Sequence, residues 1–216
     1  QRRTHALRTV VQAGADNTVE VHIAMSTPRL REDLITYKIY PNGRLYVYHS
    51  AVPKQDMLRF GFQMTLPGSY EYVNWYGRGP HPSYRDRKTG AALGRYQSTV
   101  TALEHRYMRP QESSNRTDTY DLYLCDSHGE GFRVQAYYET PFAFSAYHYT
   151  TMGLDKAAHI HEIPYDPSLT TLNIDGAQCG VGGDLPGQGA VRAPYRVTAG
   201  EKCSYAFILE PMHKKK

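Results

Sequence analysis

The sequence predicts an all-β fold, a large antiparallel two-sheet sandwich, and three observations lead there. Apolar residues recur at every second position in run after run. Short turn words such as Pro41-Asn42-Gly43 separate those runs. Only one stretch, Met152 to His159, has a spacing that suits a helix.

The strands follow in chain order. Val19, Val21, Ile23 and Met25 alternate with Thr18, Glu20 and His22, and Ile35, Tyr37 and Ile39 alternate with Thr36 and Lys38. Asn42-Gly43 supplies the positive φ angles that a tight hairpin needs before the next run. Phe60, Phe62, Met64 and Leu66 set against Gly61, Gln63 and Thr65 give the cleanest alternation, ended by Pro67-Gly68. Phe132, Val134 and Ala136 follow the turn Asp126-Ser127-His128-Gly129, and Tyr205, Phe207 and Leu209 follow Ala199-Gly200. Each run reads as a half-buried strand with one apolar face. The short helix is expected to be capped by Thr151. No internal repeat, linker or composition break divides the chain, so residues 1–216 are expected to form a single β-sandwich domain.

Composition fits this reading and excludes several classes. Apolar residues make up 40% and charged residues 21%, the balance of a globular chain. Tyr outnumbers Phe by 19 to 6, which suits pleated surfaces with wet edges. The formal charge is +4, and Lys214-Lys215-Lys216 supplies three of those charges, so no basic face for nucleic acid is expected. No apolar run is long enough for a membrane span. Gln1-Arg2-Arg3-Thr4-His5-Ala6 holds no apolar h-region, so no secretion signal is visible; the cytoplasm is the favoured compartment, with the periplasm as the alternative. Cys125, Cys179 and Cys203 are odd in number and form no C-x-x-C pair, which predicts free thiols rather than a disulfide framework, with a Cys179–Cys203 pair left open.

Three uncommon stretches carry the functional signal. The first runs from Asn74-Trp75-Tyr76-Gly77-Arg78-Gly79-Pro80 through Tyr84-Arg85-Asp86-Arg87 to Gly94-Arg95-Tyr96, and it holds the only tryptophan. It reads as a strand end entering a rigid loop whose charges lock to one another. The second is Arg109-Pro110-Gln111-Glu112 with Asn115-Arg116-Thr117. The third is Leu172-Asn173-Ile174-Asp175 with Gly180-Val181-Gly182-Gly183-Asp184. In this order they resemble the W-x-G-x-G-P…Y-x-D-R, R-P-Q-E-N-G-N-R and L-N-I-D…G-x-G-G-D segments in the C-terminal domain of bacterial glycoside hydrolase family 2 β-galactosidases. The likeness spans Phe60 to Leu209 and is weaker over the opening residues. It implies a supersandwich of the galactose-mutarotase type, here lacking part of its N-terminal strands.

The resemblance also implies what this chain does and does not carry. The family's two catalytic carboxylates sit on a separate TIM-barrel domain, and neither of that barrel's acidic motifs occurs here, so no catalytic residue is assigned. No cofactor is expected in this domain. Mg and Na are expected on the absent catalytic domain. The expected partners are the remaining domains or large subunit, a galactoside substrate and further copies of the full enzyme. The loop Gly180 to Gly189 is implied to reach the galactose pocket, which makes Asp184 and Gly187 candidates; Gly187 stands where the family often has a sugar-stacking tryptophan. A plain structural turn is the competing reading of that loop, since its glycines do not form a dinucleotide fingerprint.

Arg109, Glu112, Asn115 and Arg116 are candidate substrate-binding residues, because guanidinium, carboxylate and amide groups give the directional donors and acceptors that sugar hydroxyls need. A buried polar loop that ties strands together is the alternative, and Asn115-Arg116-Thr117 also fits a glycosylation sequon. His159-Ile160-His161-Glu162 puts two imidazoles on one side of an expected strand, but no third metal ligand lies at a suitable spacing. Trp75 is expected in the core or at a domain interface. The leading expectation is the C-terminal domain of an enzyme that hydrolyses terminal β-D-galactose, inactive by itself. Its rival is a stand-alone carbohydrate-binding or aldose-mutarotase-like protein, in which Glu112 and one of His148, His159 or His161 would act as acid and base.

Overall fold

The computed structural model describes residues 4–182 and 190–212. Thirteen strands account for most of them. They are β1 (His5–Ala13), β2 (Val19–Ser26), β3 (Leu30–Ile39), β4 (Leu45–Pro53), β5 (Arg59–Pro67), β6 (Tyr72–Gly79), β7 (Ala92–Thr99), β8 (Arg116–Thr119), β9 (Asp121–Cys125), β10 (Gly131–Ala136), β11 (Phe142–Tyr147), β12 (Leu169–Gln178) and β13 (Cys203–Met212). Two short helices, α1 (Val100–Leu103) and α2 (Thr151–Lys156), join them. A nine-stranded sheet runs β1-β2-β3-β4-β13-β10-β9-β6-β7, and a four-stranded sheet runs β5-β12-β11-β8. The named strand pairs of both sheets are antiparallel, as the alternation and hairpin words predict.

The two sheets enclose one large core. Val47, Val73, Trp75, Leu122, Leu124, Val134 and Phe207 on the long sheet meet Phe60, Phe144, Leu172 and Ile174 on the short one, all of them buried. Trp75 is a core residue here: its ring stacks on Tyr96 at 5.3 Å and meets the edge relation of Phe144 at 5.7 Å. Its indole N–H donates to the Arg78 carbonyl at 3.0 Å, which satisfies the one polar atom of a buried ring. In the turn after β3 the positive φ falls on Gly43 alone, at 83°, and not on Asn42 as well; the Gly43 N–H donates to the Tyr40 carbonyl.

Unequal sheet widths leave one end of the long sheet uncovered. Val11, Val21, Tyr37, Val47 and Phe207 stand opposite one another across β1, β2, β3, β4 and β13, so they form one row on one face. Phe207 and Val47 are buried under the short sheet, yet Val11 is 64% exposed. No residue of β1 or β2 is fully buried. The expected half-buried alternation of Val19 and Ile39 therefore needs correction. Both are exposed, because the four-stranded sheet does not reach them.

Two further local expectations change. The α2 cap is Thr150, not Thr151; its Oγ1 accepts from the Gly153 N–H at 3.0 Å. His159 to Glu162 is not a strand. Ile160–Glu162 is a 3-10 turn whose Glu162 carboxylate accepts from the backbone N–H groups of Ala158 and His159, so the two imidazoles stack as exposed neighbours, 5.6 Å apart.

Candidate functional site

The short sheet is polar on its outer face. Along β12, Leu172 and Ile174 point into the core while Thr171, Asn173 and Asp175 alternate away from it, yet all are buried. Loops cover that second face, so its polar groups need partners. Asn173 donates to Ser145 Oγ at 3.0 Å and to the Tyr147 hydroxyl at 2.9 Å, while its own Oδ1 accepts from Gln63 at 2.8 Å.

At the end of this layer three charges meet. Arg59 Nη2 lies 3.1 Å from Asp175 Oδ2 and 3.6 Å from Glu112 Oε2. Register explains the meeting: Asp175 faces Gly61 on β5, and a bulge at Gly176 brings Gln178 opposite Arg59. A side chain at position 61 would collide with the Asp175 carboxylate, so the residue must be glycine for Asp175 to lie over β5. Burial pushes the Asp175 carboxyl up to about 7; the Arg59 charge works against that rise and the Glu112 charge adds to it. Burial likewise pushes Glu112 above the ordinary carboxylate range, in spite of Arg59. For Arg59 burial works to lower the pKa, but the two carboxylates outweigh it and hold the guanidinium charged.

Glu112 opens from this trio into a cleft of about 550 Å³. Tyr84 and Gln178 line its inner part, Arg87, Tyr107 and Arg109 its polar side, and Leu58, Met108 and Val181 an apolar patch. The three sequence stretches converge around it. Asp86 accepts from the backbone N–H of Gly182 at 2.8 Å and of Val181 at 3.2 Å, so the first stretch holds the start of the third. Gly180 packs so closely on the Asp86 carboxylate that any Cβ there would collide with it. Ser83 and Asn115 exchange bonds at 2.8 Å, Ser83 N–H to the Asn115 carbonyl and Asn115 Nδ2 to the Ser83 carbonyl, which ties the first stretch to the second.

The sequence-derived candidates therefore separate. Arg109 and Glu112 line the cleft. Asn115 and Arg116 are buried beside it and face backbone. Arg116 donates to the carbonyls of Leu103 at 3.1 Å, Ser114 at 2.6 Å and Pro80 at 3.0 Å, with its guanidinium 5.8 Å from the Trp75 ring. Burial lowers its pKa to about 10. Asp184 and Gly187 lie outside the described residues. Among the described residues the salt bridges of the first stretch run not within it, contrary to expectation, but outward: Arg78 and Lys88 both pair with Asp118 on β8. Sequence reasoning passed over Tyr84, Gln178 and Asp86. Tyr84 and Asp86 stood inside the Y-x-D-R word, whereas nothing in the sequence marked Gln178.

The acid–base pairing of a mutarotase does not assemble here. His148 is buried and bonded to Glu71 at 2.7 Å and to the Leu169 carbonyl at 2.8 Å, while His159 and His161 sit exposed on their turn. Among the described residues no histidine lines the cleft with Glu112. Among the same residues no group of three or more His, Cys, Asp or Glu side chains is placed to hold a metal ion. Among the described residues no helix is long and apolar enough to cross a membrane.

A two-sheet β domain with a polar cleft on its shorter sheet is thus the class of protein in hand. Residues 1–209 match the family model described as Beta galactosidase small chain, and the chain belongs to that family. The match takes in the opening residues, where the motif resemblance was weak. The chain is 29% identical over 212 residues to a β-galactosidase of Priestia megaterium, covering 96% of this chain and 20% of that protein. It is 33% identical over 181 residues to one of Halalkalibacterium halodurans, covering 80% and 18%, and 29% identical over 203 residues to one of Streptococcus thermophilus, covering 92% and 20%. The chain thus spans about a fifth of the length of these curated relatives. A solved galactose mutarotase related enzyme from Lactobacillus acidophilus aligns with a TM-score of 0.45 at 10% identity, covering 96% of this chain and 72% of that one, a likeness too low to argue from.

Proposed function

We propose that this chain is the non-catalytic C-terminal domain of a β-galactosidase that hydrolyses terminal non-reducing β-D-galactose residues. The small-chain family match over residues 1–209 carries the reading. The chemistry belongs to the rest of the enzyme. There a retaining mechanism uses two carboxylates about 5–5.5 Å apart, one forming a covalent galactosyl-enzyme and the other passing a proton first to the leaving group and then from water. Mg and Na belong with that catalytic part. This domain completes the wall of the substrate site and supports assembly of the enzyme, a homo-oligomer. Arg109 and Glu112 face the substrate side, and the uncovered face of β1–β3 accepts the remaining domains or large subunit.

Michaelis kinetics on the complete enzyme tests the placement. Arg109→Ala and Glu112→Gln are expected to raise KM for lactose by about three- to tenfold and to change kcat less, as loss of binding shared by ground and transition states does. If both variants match the wild type in kcat and KM, the cleft lies away from the substrate.

A further inference from the structure

The edges of the two sheets are not treated alike. An exposed strand edge offers unpaired N–H and C=O groups, and folds blunt it with charges, prolines, bulges or a cover. β1 carries Arg8 and a bulge beside it, and β7 carries Arg95. β8 is four residues long and buried or half-buried throughout. β5 has none of these devices. Among the described residues it pairs with β12 on one side only, and from Phe60 to Leu66 it holds neither a charge nor a proline. Just past its end the Gly68 N–H donates to the Ser168 carbonyl, which precedes β12, at 2.8 Å. Backbone groups alternate sides along a strand, so the amides of Met64 and Leu66 also turn to β12, and those of Gln63 and Thr65 turn to the open edge.

That edge borders the uncovered end of the long sheet. Phe60 stacks on His49 of β4 at 4.3 Å and Phe62 meets Phe207 of β13 at 5.8 Å. β5 therefore lies over β4 and β13, with β3, β2 and β1 beyond its free side. Val11, Val21, Ile23, Ile35, Tyr37 and Ile39 share the face turned to that space, and none is fully buried. Phe62, Met64 and Leu66 point into the core from β5 and yet are only half-buried, as expected beside an open flank. At ~4.8 Å per strand, the three bare strands leave room for about two or three more beside β5. We infer that the free edge of β5 takes up an extended segment as an added strand, whose alternate apolar residues lie on Val21, Ile35 and Tyr37. Main-chain bonds to Gln63 and Thr65 hold it, and the uncharged shelf selects its apolar side chains. The donor is the part of the enzyme outside this chain, which spans about a fifth of its relatives' length. Naming that donor rests on the galactosidase reading above; the uptake of a strand does not.

Amide hydrogen exchange, read at single residues by mass spectrometry, compares the dilute 216-residue chain with the complete protein that contains it. In the chain alone Gln63 and Thr65 should exchange at least about 100-fold faster than Leu66, and in the complete protein all three should be slow. Thr65→Pro deletes an outward N–H and spares the β5–β12 bonds. In the complete protein it should speed exchange at Gln63 about 100-fold and leave Leu66 slow. Fast exchange at Gln63 and Thr65 in the complete protein, slow exchange there in the dilute chain, or a proline variant with Gln63 still slow would overturn the added strand. Slowing that appears in the chain alone only as its concentration rises would assign the edge to a second copy and overturn the donor named here. If the proline variant does not fold, the wild-type comparison decides. Turnover of β-galactosides reports separately on the enzyme: slow edge amides without hydrolysis uphold the strand and sink the galactosidase reading, and hydrolysis with fast edge amides does the reverse.

Discussion

Replacing Asp175 with Asn should flatten the pH dependence of stability between about pH 4 and pH 7. The carboxyl is 2% exposed, its charge faces one guanidinium at 3.1 Å, and burial pushes it up to about 7 from an ordinary 3.8. Between those values the folded chain keeps a proton that the unfolded chain releases. The sign follows from that difference: stability is full at low pH and is lost as pH rises through this window. The gap corresponds to about 4 kcal/mol at most, and sharing of the Arg59 charge with Glu112 makes about 2–4 kcal/mol the working range. Asp33 and Asp118 shift the other way. Burial would raise both, but bonds from His49 and Thr27 to the first, and from Arg78 and Lys88 to the second, hold them below the ordinary range. Their contribution disappears only below about pH 4 and is common to both proteins. The assay is urea unfolding of wild type and Asp175→Asn at steps from pH 4.5 to 7.5. Wild type should lose about 2–4 kcal/mol more than the variant across the series. Parallel curves would refute the buried, raised carboxyl and with it the account of the charge trio.

Other substitutions separate structural from surface roles. Arg116→Met keeps the volume but leaves the carbonyls of Leu103, Ser114 and Pro80 without their donor, so a loss of about 2–4 kcal/mol in urea unfolding is expected; a change within about 0.5 kcal/mol would show that those bonds carry little. Val11→Lys on the uncovered end of the long sheet should lower self-association of the chain in sedimentation velocity without changing its melting temperature, since Val11 is 64% exposed. Identical sedimentation of variant and wild type across a wide concentration range would remove the sticky-face argument.

Much of the fold was legible in the sequence because half-buried strands write a period of two. Phe60 to Leu66 and Tyr205 to Leu209 take the predicted faces in β5 and β13, and the turns at Asn42-Gly43 and Asp126–Gly129 join neighbouring strands. Burial of β1 to β3 was not legible. Alternation marks a face but not what covers it, and the width of the opposing sheet is a long-range property. The strand at His159–His161 failed for a local reason: Glu162 caps its own turn through the Ala158 and His159 amides. At the site, motif words named Arg109 and Glu112, which reach the cleft, together with Asn115 and Arg116, which face backbone. Residue type cannot tell these roles apart. Gln178 was invisible because its place depends on a bulge that sequence periodicity does not record.

The most direct test of the central claim is turnover of a chromogenic β-galactoside by the purified 216-residue chain alone, beside the complete enzyme of which it is a part. The account predicts hydrolysis by the complete enzyme and none by the chain, because the paired carboxylates lie elsewhere. Turnover that follows the isolated chain through successive columns, or a complete enzyme that leaves β-galactosides intact, would contradict it.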